Sequence, residues 1–269
     1  MAHNNTSPRA VVMDDDDDVR NLLVEILTSA GFTVSAADNG TDGLAAVLAH
    51  DPVLTTIDIS MPGVDGFETV RRIRAQGSDT YIVLITGLTD EADVVMGFGV
   101  GADDVVTKPF RARELRARLL AMLRRPRSAG REEQTPASPG ERAASAPRGL
   151  PDTVRLDGLL LDRDTRTVTV DDQDVTLTRT EFELLATILE SGRRVRSKAD
   201  LVLTLHDETY LDPARVSDAD VRAIEAHMTN LRRKLGDSVQ QPRYIETVRG
   251  AGYRAVAGHA DDTEGAGDR

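Results

Sequence analysis

Five times in the first 125 residues a short β-rich apolar run gives way to a helical pattern, and nothing else in the chain narrows its fold so far. The runs are "RAVVM", "TVSAA", "LTTID", "YIVLIT" and "DVVTK". After the first, Val19, Leu22, Leu23, Ile26 and Leu27 recur at helical spacing, and Gly31 ends the pattern as a C-terminal glycine does. Further helices are expected near 41–50, 65–75, 90–98 and 111–124. Strands joined each time by a helix run parallel, and a parallel sheet buries both faces under its crossovers. The expected fold of this half is therefore α/β, a doubly wound five-stranded parallel sheet. Ligands of such sheets sit beyond the carboxyl ends of the strands.

After residue 125 the pattern changes. Residues 126–152, "PRSAGREEQTPASPGERAASAPRGLPD", lack apolar periodicity and read as a flexible linker. Residues 153–257 read as α+β: short strands over 153–177, three helices, then two β-runs around a Gly-Ala-Gly turn. Thr178 with Glu181 and Ser217 with Asp220 have capping-box spacing, and Gly236 stops the last helix. Residues 258–269 read as a disordered tail. The expected division is 1–125, linker, 153–257 and tail, which suits a chain of 269 residues.

The start "MAHNNTSPRA" shows no signal-peptide pattern, and no apolar run is long enough to span a bilayer, so no membrane association is expected. With no cysteine there is neither disulfide nor thiolate metal site, and a cytoplasmic location follows by elimination. The net charge of −12 hides a gradient. Residues 1–125 hold 12 basic against 19 acidic side chains, whereas 222–254 hold 7 basic against 3 acidic. That reversal is a candidate anion-binding footprint. Aromatics at 3% disfavour base stacking on single strands.

The run Asp14–Asp18 closes the first strand and opens the first helix. In a doubly wound sheet Asp14 and Asp15 would face Asp58, at the end of the third strand. Three converging carboxylates repel unless a cation sits among them, and all-oxygen ligation suits Mg²⁺. Taken alone, the run reads equally well as solvated charge, its later members tolerated by the positive end of the helix dipole. Thr86 and Lys108, at the ends of the fourth and fifth strands, tilt the balance. Carboxylates, a hydroxyl and an ammonium on one edge can accept a phosphoryl group as an acyl phosphate.

"VVMDDDDDVR", "TTIDISMPGVDGFE", "VLITG" and "GADDVVTKPF" resemble, in order and spacing, the flavodoxin-like receiver domain of two-component response regulators. The resemblance implies phosphorylation of Asp58 by a sensor histidine kinase. It implies Mg²⁺ held by Asp15 and Asp58, with Asp14 positioning the ion and the Ser60 carbonyl completing the set. Lys108 and Thr86 would meet the phosphoryl group. Two positions depart from the family: Val105 stands where a Tyr or Phe switch is usual, and Met96 where the fourth helix usually carries a basic residue. Asp104, Glu114 and Arg118 match the salt-bridge positions of the family's homodimer face.

In the last helix Val221, Ile224, Met228, Leu231 and Leu235 form one stripe, and Arg222, Ala226, Thr229 and Arg233 another, nearly opposite. Arg249 tips the following hairpin. A helix in the major groove beside an arginine-tipped hairpin in the minor groove is a coherent way to hold DNA. "LTRTEFELLATIL", "HMTNLRRKLG" and "YIETVRGAGYR" resemble the winged helix-turn-helix domain of the OmpR/PhoB class. By that resemblance Arg222, Thr229, Asn230, Arg232 and Arg233 face double-stranded DNA from the helix, and Thr247 and Arg249 from the wing, at direct-repeat sites. RNA polymerase is a further partner it suggests, through the segment before the last helix. Two rivals are an aspartyl-phosphate hydrolase, disfavoured because Ser60 stands where a second aspartate is needed, and a DNA-binding protein indifferent to phosphorylation.

Overall fold

The computed structural model describes residues 7–87, 91–123, 153–205 and 216–257. The expected linker 126–152 and tail 258–269 lie outside the described residues, as does the segment 206–215.

The first half is a five-stranded parallel sheet in the order β2-β1-β3-β4-β5. Its strands are β1 (Arg9–Met13), β2 (Thr33–Ala37), β3 (Leu54–Asp58), β4 (Tyr81–Thr86) and β5 (Asp104–Thr107). Helices α1 (Asp17–Ser29), α2 (Gly40–His50), α3 (Gly66–Ala75) and α4 (Glu91–Val100) make the four crossovers, and α5 (Ala112–Leu123) follows β5. β3 and β4 are buried throughout, as strands covered on both faces must be. One core, with Leu23, Leu27, Val83 and Leu119, fills the α1/α5 face, and another, with Ile57, Val70, Ile73 and Leu84, the face under α2 and α3. The strand order makes β1 and β3 neighbours, with Met13 opposite Ile57, so the chain leaves both strands at one edge.

Short-range hydrogen bonds fix the ends that matter. Asp16 caps α1, its carboxylate accepting from the Asp18 and Val19 amides, so one aspartate of the run has a structural task. Asn39 and Asp65 cap α2 and α3 in the same way. Gly66 starts α3 against the end of β3, where a Cβ would lie 2.3 Å from the Asp58 carbonyl oxygen, so only glycine fits. Gly97 lets α4 lie close to the sheet; a Cβ there would come within 3.1 Å of Val105 Cγ2. Val105, at the position where the family's aromatic switch is usual, thus faces Gly97 of α4.

The second half begins with an antiparallel sheet of β6 (Thr153–Leu156), β7 (Leu159–Asp162), β8 (Thr167–Val170) and β9 (Gln173–Asp174). Helices α6 (Arg179–Glu190), α7 (Lys198–Leu205) and α8 (Asp218–Leu235) follow, then the hairpin of β10 (Ile245–Val248) and β11 (Gly252–Ala255). Both expected capping boxes form, and Gly236 ends α8 in the left-handed region with φ 67°. Phe182, Leu185, Ile188, Leu201, Leu231 and Tyr244 join one core. Burying such a side chain is worth about 1.5–3 kcal/mol, so this core holds α8 and the hairpin in a fixed relation.

Candidate functional site: an acidic crevice and a basic helix

Asp14 directly follows β1, Asp58 ends β3, Thr86 ends β4 and Lys108 directly follows β5. Asp14 and Lys108 therefore lie one residue past the strand ends where the sequence reading put them. All four meet at one edge. Lys108 Nζ donates to Asp14 Oδ2 at 2.9 Å and pairs with Asp58 Oδ1 at 2.6 Å. The second oxygen of each acid is held by backbone: Asp58 Oδ2 accepts from the Ser60 amide at 2.6 Å, and Asp14 Oδ1 from the Asp16 amide at 3.1 Å. The Lys108 amide donates to the Thr86 carbonyl at 2.6 Å, tying the two strand ends together. Asp14, Asp58 and Thr86 are all buried.

The expected meeting of three carboxylates is not what is found. Among the described residues no group of three acidic or histidine side chains is disposed to hold a metal ion. Asp15 is exposed, and the ammonium of Lys108 lies between the two buried acids. Two carboxylates sharing one ammonium leave an uncompensated negative charge in the crevice. Burial pushes the Asp14 carboxyl above its ordinary range, although the Lys108 hydrogen bond opposes the shift. At Lys108 burial acts against the charged form, but hydrogen bonds to Asp58 and Asp14 outweigh it and raise the pKa. The sequence reading missed Arg20, whose Nη1 donates to the Asp14 carbonyl at 2.7 Å while its other end pairs with Asp17. The i,i+3 spacing of Asp17 and Arg20 was the available signal.

On α8, Arg222, Thr229 and Arg233 are exposed along one stripe, and Arg249 is exposed in the turn between β10 and β11. A groove of about 500 Å³ runs between α8 and the hairpin, lined by Lys198, Glu225, Thr229, Thr247 and Gly250 among others. Two residues expected on that face lie elsewhere. Arg232 is buried, its Nη2 donating to the Ile245 carbonyl at 3.0 Å and to Thr247 Oγ1 at 2.7 Å. It binds helix to wing, and it uses the Thr247 hydroxyl to do so. Asn230 is buried against the first half, its Nδ2 donating to the Phe98 carbonyl of α4 at 2.9 Å. Both lie about 100° from the outward stripe, so the inward side of α8 claims them.

That contact belongs to a joint between the two halves. The Phe98 ring meets His227 edge to face, with centroids 4.5 Å apart. Asp103 Oδ1 accepts from the Thr180 amide and hydroxyl at 3.2 and 3.1 Å. Arg118 holds both oxygens of Asp104 at 3.2 Å and reaches Asp220 of α8 at 3.3 Å. Asp104, more than any other neighbour, holds the Arg118 guanidinium charged. The two described members of the expected dimer face are therefore engaged within the chain, while the Glu114 side chain lies outside the described residues. Met96 is exposed.

A parallel sheet with an acidic crevice, followed by three helices and a hairpin, is the order of parts of a transcription regulator with a receiver and a winged helix. The family description "Response regulator receiver domain" matches residues 10–120, and "Transcriptional regulatory protein, C terminal" matches 172–255. The transcriptional regulatory protein AfsQ1 of Streptomyces coelicolor is 36% identical over 247 residues, covering 92% of this chain and 97% of that one. The DNA-binding response regulator MtrA of Mycolicibacterium smegmatis is 32% identical over 247 residues, covering 92% and 96%. The solved structure of a RitR mutant shares the fold at a TM-score of 0.65 and 20% identity, covering 93% of this chain and all of that one.

The chain belongs to the OmpR/PhoB family of two-component response regulators, DNA-binding transcription regulators that accept a phosphoryl group and are not enzymes. DNA binding and a cognate kinase come with the family. No helix among the described residues is long and apolar enough to cross a membrane.

Proposed function

We propose that Asp58 is the phosphoacceptor, and that its acylation controls DNA binding by α8 and the β10–β11 wing. The observation that carries this reading is the Asp58–Lys108–Asp14 cluster at the carboxyl edge of the sheet. A carboxylate oxygen of Asp58 attacks the phosphorus of a phosphohistidine on the sensor kinase. The Oδ–P bond forms, the N–P bond breaks, and the imidazole leaves neutral because its other ring nitrogen already carries a proton. The Ser60 amide and Lys108 hold the carboxylate ready. Lys108 then turns to the new phosphoryl oxygens, and the Thr86 hydroxyl donates to them.

The donor chemistry suits Mg²⁺, since the crevice offers hard oxygens and one ammonium leaves the two buried acids under-neutralised, although Asp15 would have to turn in and Lys108 to give way. Asp14, Asp15, Asp58 and the Ser60 carbonyl would hold it, and when bound it neutralises charge on the phosphoryl group. At the other end, Arg222, Thr229, Arg233, Thr247 and Arg249 would meet double-stranded DNA at direct repeats. Arg232 positions the wing, and Asn230 reaches a base only once α8 leaves the receiver. Residues 1–125 and 153–257 act as domains tethered by 126–152, the phosphorylated form pairing through Asp104, Glu114 and Arg118. The protein works in the cytoplasm, and the segment between the last two helices would meet RNA polymerase.

The test uses the full chain, a small acyl-phosphate donor and magnesium. Intact-mass and peptide mapping should find one acid-stable, base-labile phosphate on Asp58, absent from Asp58→Asn, and calorimetry should find magnesium uptake. An adduct elsewhere, or none with magnesium present, overturns the reading.

A further inference from the structure

His227 lies on the inward side of α8, 2% exposed, at the joint with the receiver. Its ring packs edge to face on Phe98, with the Asp103 backbone among the groups beside it. A neutral imidazole has one N–H to satisfy. An imidazolium has two, and the remaining space is a gap of about 30 Å³ shared with Tyr81, Asp103, Thr180 and Ile224. Such a gap holds a single water at most. We propose that His227 is a proton-sensitive latch: the domains stay docked while its ring is neutral and part when it takes up a proton, whether or not Asp58 is phosphorylated.

The charges around the ring decide the sign. Asp103, from the loop before β5, is committed to Arg74 at 2.5 Å, the Ile82 amide at 3.0 Å and Thr180. Asp104 of β5 is held by Arg118 of α5. Glu181 of α6 accepts from Lys234 at 2.6 Å and from the Thr178 amide at 2.8 Å. On α8 itself, Asp220 bonds Ser217 and Arg118. From α7 only Val202 and Leu205 reach the gap, and from β4 the Tyr81 phenol. Among the described residues every carboxylate near the ring already has a cation or amide partner, so none of them is spare for an imidazolium. Burial therefore prevails and pushes His227 below its ordinary value of 6.5, with Asp103, Glu181 and Asp104 opposing. Since the docked form binds the proton less well than the open form, docking is at full strength above that ordinary value. It weakens as pH falls through and below it.

The experiment is small-angle scattering on the unphosphorylated full chain, with far-ultraviolet dichroism to check the fold. Between about pH 7.5 and about pH 5.5 the docked-to-open ratio of wild type should fall roughly tenfold, the factor for one pH unit below an ordinary histidine. His227→Phe and His227→Gln, both uncharged throughout, should lose that pH response. A docked fraction of wild type that does not move with pH overturns the latch, as does an undiminished response in both variants. Asp58→Asn should respond as wild type does, which keeps this result separate from the phosphoacceptor reading.

Discussion

The crevice and the DNA-facing helix are both built from side chains at regular positions, but they differ in what holds each one. In the crevice the partners are near in sequence or on the same sheet edge: the Ser60 amide is two residues from Asp58, and the Asp16 amide two from Asp14. On α8, position along the helix sets only the outward stripe. Asn230 is taken by a carbonyl 132 residues away, and Arg232 by the wing. A site defined by strand ends survives whatever the rest of the chain does. A helix face can be divided between two tasks.

The largest effect expected in this comparison is at Gly66. With a Cβ only 2.3 Å from the Asp58 carbonyl, Gly66→Ala must move the backbone that carries the phosphoacceptor. A loss of roughly 3 kcal/mol, of the order seen for overpacking against backbone, should show in denaturant unfolding along with weaker phosphate uptake. Wild-type stability would mean that the crevice is softer than its hydrogen bonds suggest.

This contrast also marks what could be read from residues alone. Alternating runs and helical stripes were enough for four crossovers, both capping boxes and the meeting of Asp14, Asp58, Thr86 and Lys108, because each depends on local periodicity and chain direction. The inward turn of Asn230 and Arg232 was not legible. Their chemistry suits DNA as well as it suits a carbonyl, and only the position of another domain or of the wing decides between them. Lys108 standing between the acids was missed for a related reason: charge counting gave the repulsion but not which cation relieves it.

Next in size are the exposed arginines. Arg249→Ala and Arg222→Ala should each weaken DNA binding about tenfold, and each should lower the slope of log affinity against log salt by about 1 if it meets phosphate. Arg232→Ala tests the division of labour. It should lose affinity by freeing the wing, so its salt slope should stay nearer that of wild type. Equal slopes in all three would erase the distinction between contact and support.

Asn230→Ala should act in the opposite sense on docking. Losing one hydrogen bond across the joint costs about 1 kcal/mol, so the open form should gain roughly fivefold in scattering of the unphosphorylated chain. If docking is unchanged, the Phe98 carbonyl is satisfied by the Gly101 amide at 3.0 Å alone and Asn230 is free for DNA.

The smallest effect expected is at Asp14, and its sign is the informative part. Burial raises the Asp14 pKa in the folded chain, so the native state holds that proton more tightly than the unfolded state. Stability on this account is greatest below the ordinary value of 3.8 and declines as pH rises through the raised one. Asp14→Asn removes the buried charge and leaves Lys108 paired one to one with Asp58. Without magnesium the variant should therefore be more stable at neutral pH by roughly 1 kcal/mol, although it deletes a residue of the site. That gain should shrink to nothing once the pH falls below about 4, where wild-type Asp14 is itself protonated. A gain that persists in acid would come from packing, and an outright loss at neutral pH would mean that the Lys108 bond outweighs the buried charge. A crevice kept under strain by its own acids is one that a divalent cation or a phosphoryl group can reset, whereas α8 is docked through a ring contact, an amide–carbonyl bond and an opposite-charge pair, Arg118 with Asp220, and has no such stored repulsion to release.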